Sequence, residues 1–212
     1  MTETLWMPAR RRGRPPASDS AVTRERILRA AQEVFAESGY EAATFQAIAA
    51  QIGLTRPAIN NYFNSKSALY EEVVGRVSDS LLDAIRLASR EPTLARQILT
   101  FIRMATRGED TAPSTAGFLV QAVMDVGHIP AGGHRAGEII ERFIRTAVAS
   151  AVQRGEISAD PEALTEMLVG LVWGSAFQVG RGDPVCGDRM LDQLCALLDR
   201  GLVSSRSGPK PP

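Results

Sequence analysis

The stretch that decides the fold is TFQAIAAQIGLTRPAINNYF, residues 44–63. Thr44 suits the N-cap of a short helix whose Phe45, Ile48, Ala49 and Ile52 share one face. Gly53 supplies a turn, Leu54 plugs the gap, and Thr55 caps a second helix. Pro57 falls in that helix's first turn, where a missing N–H costs little. At about 100° per residue, Ile59 and Phe63 lie close together and face the core. Pro57 and Asn61 then point away, flanked by Ala58 and Asn60, with Arg56 at the helix start. Two short helices, a glycine turn and a compact polar outer face make a helix-turn-helix.

The outer face has the chemistry of a base reader. Asn60 and Asn61 can bond adenine bidentately, Arg56 can bond guanine or phosphate, and Pro57 or Ala58 can touch a thymine methyl. Thr44 and Thr55 set hydroxyls and free N–H groups at two helix starts, which suits phosphate anchoring, and Tyr62 and Lys66 are placed to hold the flanking backbone. Each threonine alone is explained as a plain cap and each asparagine as solvated surface; the constellation is not.

Working outward, a helix is expected from Thr23 with Ile27, Leu28, Ala31, Val34 and Phe35 on one face. Gly39 suits the left-handed position past its end, and Tyr40 folds back. Ser65 caps a long helix through Leu69, Val73, Val77, Leu81 and Ile85. Further helices are expected at 92–107, 114–127, 134–154, 161–180 and 187–203. The chain thus reads as all-α with about nine helices: an arginine-rich flexible arm over 1–20, a helix-turn-helix domain over 21–66, a helical ligand-binding and dimerisation domain over 67–203, and a disordered tail over 204–212.

The formal charge is zero but uneven: residues 1–70 carry nine Lys/Arg against six Asp/Glu. A basic end suggests a polyanionic partner there. Arg10-Arg11-Arg12-Gly13-Arg14-Pro15 contains the Arg-Gly-Arg-Pro core of an AT-hook. Proline keeps such a segment extended, and arginines favour a narrow A·T-rich minor groove. The plainer reading is a solvated tail adding non-specific phosphate contacts.

From Thr23 to Val73 the chain resembles the N-terminal domain of the TetR/AcrR family of bacterial regulators. The resemblance is carried by Arg26-Ile27-Leu28, Phe35 to Tyr40, Thr44, Ile48-Ala49, Gly53-Leu54-Thr55 and Ile59 through Leu69. The family's Leu-Tyr-x-His-Phe reads here as Ile59-Asn60-Asn61-Tyr62-Phe63, so Asn60 and Tyr62 replace its phosphate-contacting Tyr and His. The resemblance implies a DNA-binding repressor released from its operator by a small molecule held in a pocket, with an activator or a regulator without an inducer as alternatives, and a dimer through the last two long helices.

In the C-terminal half, Phe101, Met104, Phe118, Met124, Trp173 and Phe177 are candidates for an apolar pocket, each with simple core as its alternative. Gly170 and Gly174, four apart, permit close helix approach. With Leu191, Leu194, Leu197 and Leu198 they suggest a two-fold four-helix interface. The expected partners are therefore a palindromic double-stranded operator, a second copy and a small apolar ligand. No cofactor, metal or membrane partner is expected. Asp125, His128, His134 and Glu138 match no strong metal template, and Cys186 and Cys195 lack a CxxC spacing. The absence of a nucleophile elbow or zinc-hydrolase pattern argues against an enzyme. The arginines of the N-terminus precede no apolar run, so a cytoplasmic protein is expected.

Overall fold

The computed structural model describes residues 17–106, 115–125, 134–158 and 160–180, with 189, 190, 192–194 and 196 near the C-terminus. Eight helices are seen among them: α1 (Ala17–Ala42), α2 (Phe45–Gln51), α3 (Arg56–Asn60), α4 (Lys66–Ala88), α5 (Leu94–Thr106), α6 (Thr115–Met124), α7 (Arg135–Gln153) and α8 (Pro161–Gly180). Residues 189, 190, 192–194 and 196 are also helical, where the ninth helix is expected from the sequence. No strand occurs among the described residues.

α1 starts at Ala17, not near Thr23, because the polar run Ser18-Asp19-Ser20 sits in its first turn. Such residues favour a helix start without contributing to the apolar periodicity by which the start was sought. Its other end is set by Gly39, at φ +76° and ψ 171°. This is not the left-handed helical conformation expected but the extended positive-φ region, essentially glycine's own. One further turn, Tyr40 to Ala42, follows the kink.

The core is one continuous cluster from Ile27, Phe35 and Ile48 to Leu81, Ile98, Phe101, Ile140 and Ile144. α4 runs through it, packing on α1 at one end and on α5 and α7 beyond. α6 packs along α1 and on α8. Thus α4 and α6 both join the three N-terminal helices to the rest. An aromatic cluster fills this junction: Tyr70 of α4 meets Phe35 at 5.0 Å, Tyr40 at 4.9 Å and Phe118 of α6 at 5.5 Å between ring centroids.

α8 carries no charged residue after Glu166 and has a mean hydropathy of 1.2 over its most apolar stretch. By length and composition it is the one described helix that could cross a membrane, yet it lies against α5, α6 and α7. It buries Thr165, Leu168, Val172, Ser175 and Ala176 there. Leu164, Val169, Leu171 and Trp173 are partly buried against the core, while Met167 and Phe177 are 60% and 37% exposed. Gly170 and Gly174 lie on exposed positions, and a Cβ at either would meet nothing within 4 Å.

Candidate nucleic-acid interface

The helix-turn-helix is built by caps and a buried seam. The Thr44 hydroxyl accepts the Ala47 N–H at 3.1 Å and starts α2. Gly53, at φ +67°, makes the turn, and the Leu54 N–H bonds the Ala49 carbonyl at 2.9 Å. Ile48, Ala49 and Ile59 are fully buried and Phe63 nearly so, holding the short helices on α1. Arg26 of α1 ties down the far end of α2, donating to the Ile52 carbonyl at 2.9 Å. α3 ends at Asn60, about a turn sooner than Asn64, because Asn61 and Tyr62 form i→i+3 bonds to Ala58 and Ile59.

This leaves a polar surface on one side. Thr44, Thr55, Arg56, Pro57, Asn60 and Asn61 are exposed, and Ala58 is half-buried among them. Thr55 occupies the N-cap of α3 without a side-chain cap bond; its carbonyl, not its hydroxyl, accepts from Ala58 and Ile59. A concavity of about 510 Å³ opens between the start of α2, the side of α3 and the start of α4. Its lining adds Glu41, Ala43, Gln46 and Asn64 to the residues singled out from sequence, with Ser65 at its α4 side. Gln46 follows the Thr44 cap by two residues, and that offset from a cap was the signal available. The Ser65 hydroxyl accepts the Ala68 N–H at 3.1 Å and starts α4.

Two expected backbone holders are placed differently. Tyr62 is half-buried and packs against the core. Lys66 turns inward: its ammonium donates to the Tyr40 carbonyl at 2.7 Å and the Glu41 carbonyl at 2.9 Å, and lies 4.5 Å from the Tyr40 ring centroid. The carbonyls left open where α1 kinks at Gly39 attract the nearest cation.

The cations of α1 are also engaged. Arg24 pairs with Glu72 and lies 4.9 Å over the Phe63 ring. Glu25 bonds Arg29 at 3.1 Å and pairs with Arg76 of α4. Burial alone would raise the Glu25 pKa, but hydrogen bonds and charge from Arg29 and Arg76 outweigh it and hold the carboxyl below its usual 4.5. Residues 17–66 carry five cations (Arg24, Arg26, Arg29, Arg56, Lys66) and five carboxylates (Asp19, Glu25, Glu33, Glu37, Glu41), so this region has no net charge. Arg10, Arg11, Arg12 and Arg14 lie outside the described residues.

The expected pocket residues do not form one group. Phe101 and Trp173 line an enclosed apolar cavity with Ala105, Leu119, Ile140 and Val172, but its volume is only about 10 Å³. Phe118 is core, packed on Tyr70. Met104, Met124 and Phe177 are 47%, 69% and 37% exposed, because each falls outside the buried stripe of its helix. Of the expected interface leucines, Leu194 is half-buried against the core, while Leu191, Leu197 and Leu198 lie outside the described residues.

The site is a capped helix-turn-helix with a polar outer face, carried on a larger helical body. Residues 27–73 match the family described as bacterial regulatory proteins, tetR family. The chain is 41% identical over 76 residues to the HTH-type transcriptional activator FasR of Mycolicibacterium smegmatis, covering 36% of this chain and 35% of that protein. It is 35% identical over 79 residues to the HTH-type transcriptional repressor BepR of Brucella suis biovar 1, covering 35% and 38%. The matched stretches thus span little more than a third of either relative. Among solved structures, the TetR family regulator PfmR of Thermus thermophilus aligns with a TM-score of 0.67 at 20% identity, covering 84% of this chain and all of that one. AibR, solved with isovaleryl coenzyme A and operator DNA, aligns at 0.64 and 16% identity, covering 82% and 96%. Residues 27–73 are thus similar to the N-terminal domain of tetR-family proteins, and the chain as a whole has the fold seen in solved TetR-family structures.

Proposed function

We propose that this chain is a sequence-specific transcription regulator that binds a palindromic operator as a homodimer, and that it is a repressor released by a small-molecule ligand. The observation that carries the reading is the outer face of α3 and its C-cap, where Arg56, Asn60 and Asn61 are exposed above a seam of Ile59 and Phe63. FasR is named an activator and BepR a repressor, so activation is the second reading.

Three further parts of the reading have physical support. Dimerisation rests on α8: from Met167 onward it carries no charge, and apolar side chains there are exposed as well as buried, where such a helix is ordinarily covered. The uncovered stripe through Met167, Gly170, Gly174 and Phe177 fits a second copy with the last helix beside it. A ligand site rests on the cavity at Phe101 and Trp173, where α5, α6, α7 and α8 meet. Ligand pockets run to about 300 Å³ or more, so an inducer would have to part these helices. Such an opening would tilt α4 and change the spacing of the two recognition helices. AibR is solved with isovaleryl coenzyme A, so an acyl-coenzyme A thioester is the first ligand to try.

Minor-groove contact by the arm rests on charge. The described DNA-binding region is neutral, so Arg10, Arg11, Arg12 and Arg14 would supply the phosphate neutralisation. A mobility-shift assay on the DNA upstream of the protein's own gene tests the reading. A salt-sensitive, competitor-resistant shift is expected, and binding no tighter than to random DNA would refute it.

A further inference from the structure

The Gly39–Tyr40 segment is gripped from two helices that belong to the body of the protein. The Tyr40 N–H donates to Asp125 Oδ2, just past the end of α6, at 2.8 Å. The Tyr40 carbonyl accepts from Lys66 of α4 at 2.7 Å. Gln121 of α6 donates to Asp125 Oδ1 at 3.0 Å and so orients the carboxylate. Gly39 makes room for this: a Cβ there would stand 2.9 Å from Asp125 Oδ2 and 2.9 Å from Gln121 Nε2. The same α6 lines the small cavity through Ala116 and Leu119. At its start it is pressed against α8, where a Cβ on Gly180 would lie 3.0 Å from the Gly117 Cα.

We propose that Asp125 is a positioning residue for DNA binding: its carboxylate holds the Tyr40 amide, so that the orientation of the helix-turn-helix follows α6. The inference deepens the regulatory reading above and rests on it. The physical case is one of stiffness. Gly39 is a kink with no side chain of its own, and without an external anchor the turn after it would be held by few bonds. Asp125 supplies that anchor from a helix that borders the cavity. Anything that parts α6 from α5 or α8 pulls the acceptor from the Tyr40 N–H. Tyr70 lies beside this clasp, its hydroxyl buried and without a hydrogen bond among the described residues.

The test uses the full chain and four substitutions, with helicity checked by circular dichroism. Amide exchange at Tyr40 should rise at least tenfold in Asp125→Ala while protection at Val148 and Ala151 of α7 is unchanged. Asp125→Asn, which keeps an acceptor oxygen, should stay within threefold of the wild type. Ala116→Leu wedges α6 from within the cavity and should itself raise Tyr40 exchange; Ala105→Val, from α5, serves if Ala116→Leu does not fold. On a duplex selected from random DNA by the wild type, the wedge should change affinity at least tenfold in the wild-type background. In Asp125→Ala it should change affinity less than twofold, a non-additivity expected only of coupled sites. Wild-type exchange at Tyr40 in Asp125→Ala, or equal wedge effects in both backgrounds, would overturn the proposal. If the wild type selects no duplex, the DNA-binding reading falls, and the exchange data alone still decide whether the wedge acts on Tyr40 through Asp125.

Discussion

Removing residues 1–16 leaves α1 to start at Ala17 and takes away Arg10, Arg11, Arg12 and Arg14 with the single acid Glu3. That is the whole of the positive balance in the first 70 residues, since residues 17–66 are neutral and Arg24, Arg26, Arg29 and Lys66 are each engaged within the protein. Each phosphate neutralised contributes about 0.9 to the slope of log K against log salt. Four arginines in each of two protomers thus bound the loss of slope at about 7, and half of them at about 3.6. Even the smaller figure corresponds to roughly a hundredfold change in affinity over a fourfold range of salt. An extended arm of 16 residues reaches about 50 Å, ample for an adjacent minor groove. Fluorescence anisotropy with a labelled duplex at 50, 100 and 200 mM potassium chloride is the assay. The truncated protein should bind at least tenfold more weakly at the middle concentration, with a slope lower by about 3 to 7. Replacing the four arginines by lysine should restore the slope but not the preference for A·T-rich flanks, because arginine enters a narrow minor groove more readily. Unchanged affinity and slope in the truncated protein would refute the charge argument outright.

Three other outcomes follow from particular residues. Gly174→Glu places a charge on the uncovered stripe of α8 and should yield a monomer that no longer binds operator; a light-scattering mass that stays dimeric would count against α8 as the interface. Ile48→Ala empties a fully buried site under the helix-turn-helix and should cost about 2 to 5 kcal/mol in urea unfolding, against well under 1 for Gln46→Ala on the exposed side. Burial, with Asp125 and Tyr40 nearby, pushes the Tyr70 hydroxyl up to about 12 from 10.0. The folded state therefore keeps a proton that the unfolded state gives up, and the Tyr70 contribution to stability is present below pH 10 and lost as pH rises through 12. Alkaline unfolding of Tyr70→Phe should lack that component; an identical pH dependence would show that Tyr70 titrates normally.

The helix-turn-helix was legible because its determinants are local. A cap at Thr44, a turn glycine at Gly53 and apolar positions at Ile48, Ile59 and Phe63 all act within 20 residues, and the structure puts each where the spacing does. What sequence could not convey was long-range. Lys66 reads as a surface cation until α1 kinks and offers it the carbonyls of Tyr40 and Glu41, 26 and 25 residues away. Asp125 reads as one member of a weak acidic and histidine group, and its contact with Tyr40 spans 85 positions. The pocket candidates show the same thing on one helix. Phe101 and Met104 are both large and apolar, but the buried stripe of α5 runs through Leu94, Ile98, Phe101 and Ile102. Met104 lies roughly 90° from its centre, and only the neighbours of α5 decide where that stripe faces.

Selection of binding sites from a random duplex library by the purified full-length protein asks the question on which everything else depends. A palindrome with half-sites centred about 10 base pairs apart, or a multiple of that, is expected, since two recognition helices related by a two-fold axis enter successive major grooves. Arg56→Ala and Asn61→Ala should each relax the preference at particular positions of each half-site. Recovery of no enriched sequence, or of a motif unaffected by either substitution, would contradict the assignment of α3 as the reading helix.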